Sequence, residues 1–336
     1  MMLDLSTQYL GLSLSTPVVV GACPLTGRLE FLAALEECGA GAVVLPSVFQ
    51  EQLEAAEGRD QAPQYGSARV EAVDDLRGLD DYNGGIDGYL ELIESAKKHL
   101  RIPVIANLNG ITHGPWLDYA RRIQDAGADA LELNVYFLGT DSAVSGQEVE
   151  MRSLDLVAAV RTAVEIPLAV KLGPYFSSMA HIAKSVVEAG ADGLVLFNRF
   201  LCPDMDLEQF QSLASPPLSS SMDNRLPMRW IALLRQQLGV SLAATSGVHD
   251  HEDILKLVCV GADAVMVASA LIIRGPEHLG QILEWLRTWL QEHDYQALHA
   301  FKSSVALTDL PFDQANERSE YIRTLCFYST EQPKRV

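Results

Sequence analysis

The sequence predicts an α/β chain closed into a (β/α)8 TIM barrel, on three observations. A helix-like segment, a Gly-Ala pair and a short apolar run recur four times, as Gly39-Ala-Gly-Ala-Val-Val-Leu, Gly127-Ala-Asp-Ala-Leu-Glu-Leu-Asn, Gly190-Ala-Asp-Gly-Leu-Val-Leu-Phe and Gly261-Ala-Asp-Ala-Val-Met-Val. Glycine just past a helix accepts the left-handed conformation that stops it, so each copy marks a helix-to-strand junction. Three further apolar runs lie between the copies, Ile102-Pro-Val-Ile-Ala, Ile166-Pro-Leu-Ala-Val and Val240-Ser-Leu-Ala-Ala, and with Pro17 to Gly21 the strands number eight. Right-handed crossovers make such a sheet parallel, and eight strands close it. A doubly wound open sheet is the alternative. It carries Gly-x-Gly-x-x-Gly after its first strand, and Gly21-Ala-Cys-Pro-Leu-Thr-Gly does not supply that pattern.

In order along the chain, Leu3 to Leu14 alternates apolar and polar residues about Gly11, as a two-stranded hairpin closing one end of the core would. Strands are expected at 17–21, 42–46, 103–107, 130–134, 167–171, 193–197, 240–244 and 264–267, with helices at 28–38, 89–100, 115–126, 178–189, 251–260 and 277–293. The whole chain, 1–336, reads as a single domain, with 1–16 the hairpin and 294–336 an outer tail. Three connections, 47–86, 135–151 and 198–227, are too long to be joints, and all follow strands, which puts them on the catalytic face of a barrel. The first is an acidic run that reads as a solvated loop; the third contains Ser215-Pro-Pro-Leu-Ser-Ser-Ser, a composition that suits a lid.

Composition narrows the classes. At 336 residues and 48% hydrophobic the chain has enough apolar material for a large core, and no segment approaches the roughly 20 apolar residues that span a bilayer. The start, Met-Met-Leu-Asp-Leu-Ser, lacks the pattern of a secretory leader, so a cytoplasmic location is expected. A formal charge of -19 opposes attraction to phosphate backbones, so neither nucleic acid nor an anionic membrane is an expected partner. Five cysteines without a C-x-x-C pair suggest neither a disulfide framework nor a zinc site, and Cys38 and Cys259 read as core.

The expected strand ends are polar for buried runs: Asn107, Asn134, Lys171 and Asn198 close strands three to six. Each asparagine alone could cap its own loop; three amides and an ammonium at one mouth suit the edge of a heteroaromatic ring better. The seventh and eighth strands end in Thr245-Ser-Gly-Val and Ala268-Ser-Ala-Leu, where barrels commonly build a phosphate site from small residues and backbone N–H groups. Ser246, Gly247 and Ser269 fit it. His249-Asp-His251 reads as an N-cap with two exposed histidines rather than a metal pair, so no metal is expected, and His113 is a minor acid–base candidate. Lys171 by itself also fits the Schiff-base nucleophile of a barrel aldolase.

Taken together, Gly39-Ala-Gly-Ala-Val-Val, Leu131-Glu-Leu-Asn134, Val170-Lys-Leu-Gly-Pro-Tyr-Phe, Phe197-Asn-Arg-Phe200 with Pro203-Asp-Met-Asp206, Thr245-Ser-Gly-Val248 and Ser269-Ala-Leu271 resemble the dihydroorotate dehydrogenase family of FMN-binding barrels over nearly the whole chain, and its dehydrogenase-like branch above all. The resemblance implies an FMN-dependent oxidoreductase of pyrimidine biosynthesis that passes hydride from dihydroorotate, or a related small planar acid, to FMN. It implies Ala22, Ser47, Asn134, Lys171, Asn198, Ser246, Gly247 and Ser269 as cofactor-binding residues, with Lys171 at the flavin edge where negative charge builds. Asn83, Asn134, Asn198 and Arg199 are the implied substrate-binding residues.

The sequence also departs from the family. Where the family has a cysteine or serine base after strand four, the run Asn134-Val-Tyr-Phe137-Leu-Gly139 puts Phe137, which cannot accept a proton, and Gly139 stands where a substrate-binding asparagine is expected. Strand two ends in Pro46-Ser47 rather than Lys-Ser. Tyr136 is the substitute base. These departures keep a second function open, an FMN-bound electron-transfer or scaffold protein that has lost dihydroorotate oxidation. The expected partner is a small-molecule substrate, with a homodimer and an electron-transfer partner left open.

Overall fold

A computed structural model describes residues 3–56, 77–112, 114, 116–137, 139–200, 203–213, 218–304 and 314–330. A hairpin of β1 (Thr7–Tyr9) and β2 (Leu12–Leu14) opens the chain. The barrel strands are β3 (Val18–Val20), β4 (Ala42–Phe49), β5 (Val104–Gly110), β6 (Ala130–Val135), β7 (Leu168–Leu172) and β8 (Gly193–Leu196). After a second hairpin of β9 (Asp204–Asp206) and β10 (Gln211–Leu213), β11 (Ser241–Thr245) and β12 (Ala264–Val267) complete it. The eight strands form one closed barrel, paired in chain order, with β12 hydrogen-bonded back to β3 and every pair parallel. The predicted (β/α)8 barrel and its eight strands are therefore present.

The Gly-Ala junctions behave as the physics of helix ends requires. Gly39, Gly127, Gly190 and Gly261 have φ of +96°, +96°, +114° and +110°, values only glycine adopts without strain. The following alanine N–H reaches back to the last helical turn, as Ala40 to Leu35 O at 3.0 Å and Ala262 to Leu257 O at 3.0 Å. In the three copies that continue with aspartate, the carboxylate caps the strand before it. Asp129 accepts from Val104 N at 2.7 Å, Asp192 from Leu168 N at 2.8 Å and Asp263 from Leu242 N at 2.8 Å. Each also pairs with a basic side chain, Lys97, Arg161 and Arg235 respectively. One short motif thus stops a helix and satisfies a strand's first donor, all at the end of the barrel away from the catalytic face.

Strand alternation sorts side chains into two cores. Outward-facing residues such as Leu131, Leu133, Val170 and Leu172 pack against the surrounding helices. Inward residues, among them Val19, Val44, Ile105, Ala130, Ala169, Val195, Ala243 and Met266, fill the barrel with Tyr9, Leu10 and Leu14 of the hairpin beneath them. Leu10 seats directly on β8: a Cβ at Gly193 would lie 2.6 Å from Leu10 Cδ2. The hairpin also donates from Leu10 N to Ser241 Oγ (2.9 Å) and from Thr7 Oγ1 to Asp263 O (3.0 Å).

Several expectations are corrected. The connection over 47–86 is not all loop: Gln50–Ala56 and Arg77–Asn83 are helical, and much of its acidic run lies outside the described residues. The connection over 135–151 ends in the helix Gly146–Ala163, started by a capping box in which Ser145 and Glu148 satisfy each other's backbone N–H groups. The connection after β8 holds the β9–β10 hairpin; of the Ser215–Ser221 stretch, residues 215–217 lie outside the described residues, as do His113 and Cys202, while Ser219 is buried and bonded to Ser269 Oγ. Cys38 and Cys259 are half-buried at helix ends rather than core. The 294–336 stretch includes the helices Leu298–Ser304 and Gln314–Thr330, the first tied to the barrel base by Lys302 Nζ on Asp263 Oδ1 at 2.6 Å. Among the described residues no helix is long and apolar enough to cross a membrane.

Candidate active site

Inward positions on the upper half of β5, β6 and β7 are polar, and the register sets them side by side: Asn107 opposite Glu132, Asn109 opposite Asn134, and Asn134 opposite Lys171. Lys171 Nζ lies 3.5 Å from Glu132 Oε1, with the lysine side chain 12% exposed and the glutamate 0%. Asn107 Nδ2 donates to that same oxygen at 2.7 Å, and Asn107 is fixed from behind by Tyr89, whose hydroxyl accepts from Asn107 N at 2.8 Å. Glu132 Oε2 and Asn107 Oδ1 are buried with no partner among the described residues. Lys171 is therefore one half of an ion pair with a fully buried carboxylate.

One layer higher, Asn198 Nδ2 donates to Asn134 Oδ1 at 2.6 Å, which joins the ends of β6 and β8 across the mouth. Beside this amide pair a cleft is lined by Ala22, Lys171, Asn198, Arg199, Ser219, Ser246, Gly247 and Ser269 together with Phe197, Thr245, Val248, Met266 and Ala268. Two of these residues are cationic and none is acidic, in a chain of net charge -19. The lining has the composition of a site for an anion with a ring attached.

The side of the cleft at β11 and β12 is built by backbone. Ser246 has φ +83° and Gly247 φ +74°; the serine is in a region that costs a non-glycine residue about 1–2 kcal/mol and is held there by its surroundings. A Cβ on Gly247 would overlap the Asn224 backbone nitrogen and come within 2.9 Å of Ser220 O, so the turn after β11 lies directly on the 220–224 segment. Asp253 locks that contact. Its carboxylate accepts from Asn224 Nδ2 (2.6 Å), Ser221 Oγ (2.7 Å) and His249 N (2.9 Å), and it is buried. Ser219 joins from the same segment, its N–H donating to Ser269 Oγ at 3.1 Å and its hydroxyl within 3.2 Å of His249 Nε2.

The side at β6 and β7 is aromatic. Tyr136 and Phe200 stack with centroids 4.4 Å apart, and Tyr175 meets Phe200 edge-on at 5.3 Å. Phe200 lies over Gly173, where a Cβ would come within 2.8 Å of its Cζ, so this glycine is needed for ring approach. Arg152 stands over Phe137 at 5.5 Å, a cation–π contact.

Of the predicted cofactor residues, Ala22, Lys171, Asn198, Ser246, Gly247 and Ser269 line the cleft, and Asn134 is one hydrogen bond away. Ser47 is not among the lining residues; it is buried opposite Asn107 in the sheet, with its carbonyl accepting from Asn83 Nδ2 at 2.8 Å. Asn83 is likewise apart from the cleft. It is buried, donates also to Gln52 Oε1 (2.9 Å) and accepts from Gly85 N (3.1 Å), the arrangement of a tether between β4 and the helix Arg77–Asn83. Arg199 lines the cleft and is exposed. Asp250 is the predicted N-cap, accepting from Glu252 N at 2.9 Å and Asp253 N at 3.1 Å, but His249 and His251 are half-buried rather than exposed, His249 against Ser219 and His251 against Trp285. Near the mouth, burial pushes the Cys23 thiol up while the Lys171 ammonium pulls the other way, and burial pushes Tyr82 up to about 12.

Glu132, Ser219 and Asp253 were missed by sequence reasoning. For Glu132 a signal exists: in Leu131-Glu-Leu-Asn134 it shares a face with Asn134, and in a closed barrel that face points inward.

A family profile described as "Dihydroorotate dehydrogenase" matches residues 4–290. The chain belongs to the dihydroorotate dehydrogenase family. Among its relatives, the dihydroorotate dehydrogenase B (NAD(+)) catalytic subunit of Thermoplasma acidophilum is 26% identical over 88% of this chain and 97% of its own length. The putative dihydroorotate dehydrogenase A (fumarate) of Aeropyrum pernix is 28% identical over 88% of this chain and 95% of its own. A dihydroorotate dehydrogenase B (NAD(+)) catalytic subunit of Methanosarcina acetivorans is 28% identical over 79% of this chain and 84% of its own.

Proposed function

We propose that this dihydroorotate dehydrogenase-like oxidoreductase binds FMN in the cleft between β7, β8, β11 and β12 and acts on a CH–CH bond of a small planar substrate. The observation that carries this reading is the lining itself: two cations, three serine hydroxyls, an amide and no acid, at the mouth of a barrel whose sequence belongs to this family. The residues fit the group. Ser219, Ser246 and Ser269 would hold its phosphate with the Gly247 backbone, which lies against the 220–224 segment because it carries no side chain, and Lys171 would face the polar edge of its ring.

When bound, FMN supplies a hydride acceptor. The chain's own residues do the rest. The Asn134–Asn198 pair presents amide donors and acceptors at the mouth, and Arg199 offers a guanidinium for an acidic group of the substrate. Tyr136 is the candidate to take the substrate proton, since Phe137 has no lone pair, and its stack on Phe200 holds the ring in place. The aldolase reading loses support, because a nucleophilic lysine is set among apolar or cationic neighbours and Lys171 faces the Glu132 carboxylate.

The test is an absorption spectrum of the purified protein followed by anaerobic addition of dihydroorotate. A flavin band, or FMN uptake on titration, is expected; a colourless protein that takes up no FMN defeats the proposal. Bleaching by dihydroorotate identifies the substrate. A second reading, an FMN-bound electron-transfer protein, is favoured by Phe137 under Arg152 in place of a base, and enzyme-like bleaching rates defeat it.

A further inference from the structure

Glu132 is an expensive residue in this barrel. It is fully buried, one oxygen is shared between Asn107 Nδ2 (2.7 Å) and Lys171 Nζ (3.5 Å), and the other has no partner among the described residues. A carboxylate placed so deep costs several kcal/mol in desolvation, which a single ion pair at this distance does not clearly return. A leucine or alanine would fill the volume, as Ala130 and Ala169 do in the layer below. Position, rather than stability, explains it. Glu132 stands behind the one lysine that lines the cleft, on the barrel side, with Asn107 fixing its orientation and Tyr89 fixing Asn107.

We infer that Glu132 is the positioning residue of this site: through its ion pair with Lys171 it sets how much positive charge the cleft presents to the cofactor, and so the cofactor's reduction potential. This rests on the FMN reading above. When a hydride is transferred, the substrate carbon loses two electrons and one proton as a unit and the cofactor gains them, becoming one unit more negative; the second substrate proton leaves to a base. With FMN held in the cleft, Lys171 would be the ammonium facing that added negative charge. A bare ammonium would favour the reduced state strongly, whereas an ammonium already compensated from behind by Glu132 favours it less, so the pair holds the potential down. A lower potential eases onward transfer of the electrons and disfavours their arrival.

Potentiometric titration of the FMN-loaded protein tests this without any turnover. Glu132→Gln keeps an acceptor for Lys171 and Asn107 and removes the charge. The expected result is a reduced-to-oxidised equilibrium constant raised about tenfold, which for a two-electron couple is a potential higher by about 30 mV. Asn107→Ser removes the amide that shares Glu132 Oε1, leaves more negative charge on Lys171, and lowers the potential. This second variant keeps the test available if the first does not fold. Potentials unchanged in both variants, or shifted in the opposite directions, overturn the inference. FMN titration of the wild-type protein separates the two claims: no uptake defeats the FMN reading, whereas normal uptake with unmoved potentials defeats only the role of Glu132.

Discussion

The two sides of the barrel mouth are built on different principles. At β11 and β12 the cleft wall is backbone and small residues: Ser246 and Gly247 in left-handed conformations, pressed on the 220–224 segment and locked by three hydrogen bonds to buried Asp253. At β6 and β7 it is interchangeable side chains, with Tyr136, Phe137, Phe200 and Tyr175 in ring contacts and Tyr175 63% exposed. A phosphate asks for fixed N–H groups and hydroxyls and tolerates little change. A substrate pocket is retuned one side chain at a time. Of the departures that the sequence suggests, Phe137 and Gly139 fall on the second side and Pro46 on β4, whereas none was read on the first side.

Breaking the rigid side should have the larger effects. Gly247→Ala meets the Asn224 backbone and requires φ +74° of an alanine, so it should lower stability by about 4 kcal/mol or more and abolish FMN uptake, measured by thermal melting and FMN titration. Asp253→Ala leaves three donors without their acceptor, two of them on the 220–224 segment; a loss of about 3 kcal/mol is expected by denaturant unfolding, with weaker FMN binding. Unchanged FMN affinity in a folded Asp253→Ala protein would erase the contrast between the sides.

An alkaline titration gives a scale that belongs to neither side. Tyr82, with its ordinary value of 10.0 raised to about 12 by burial, binds its proton more tightly in the folded protein, so its contribution is complete below pH 10 and is lost as pH rises through 12. Loss of roughly 2 kcal/mol over that window is expected in urea unfolding, and Tyr9 and Tyr89, also raised by burial, act in the same direction. On the adaptable side the effects are smaller. Phe137→Ser puts a hydroxyl where the resemblance leads one to expect the base, and stability should change little. If the missing base is what limits dihydroorotate oxidation, anaerobic bleaching should accelerate about tenfold, short of the 10²–10⁴-fold of a fully positioned base. Phe200→Leu removes the stack on Tyr136 and should cost about 1 kcal/mol in stability with no loss of FMN.

The same division governs what the sequence made legible. Gly39, Gly127, Gly190 and Gly261 were readable as strand entries because a left-handed helix end admits few other residues, and Ser246-Gly247 stood out as small residues at the end of the seventh strand. Asp253 was invisible because an aspartate three residues into a helix looks like first-turn charge until the fold brings Asn224 and Ser221 to it. The β9–β10 hairpin hid behind Asp204-Met-Asp206, a strand with polar ends, and the helix Gln50–Ala56 behind an acidic run. Ser47 and Asn83 were placed in the site by resemblance; in the fold they bond to each other, with Ser47 opposite Asn107 in the sheet, and neither is among the residues that line the cleft.

The hairpin under the barrel has a consequence for how the chain folds. Leu10 rests on Gly193 and bonds to Ser241, Thr7 bonds to Asp263, and the Asp4 backbone pairs with Ala297. These residues therefore find their partners far along the chain, with sequence separations of 231 and 256 residues at two of these bonds. The floor of the barrel is sealed only once β11 and β12 are in place, and pairings between residues so distant form late because a long loop must close before they are made.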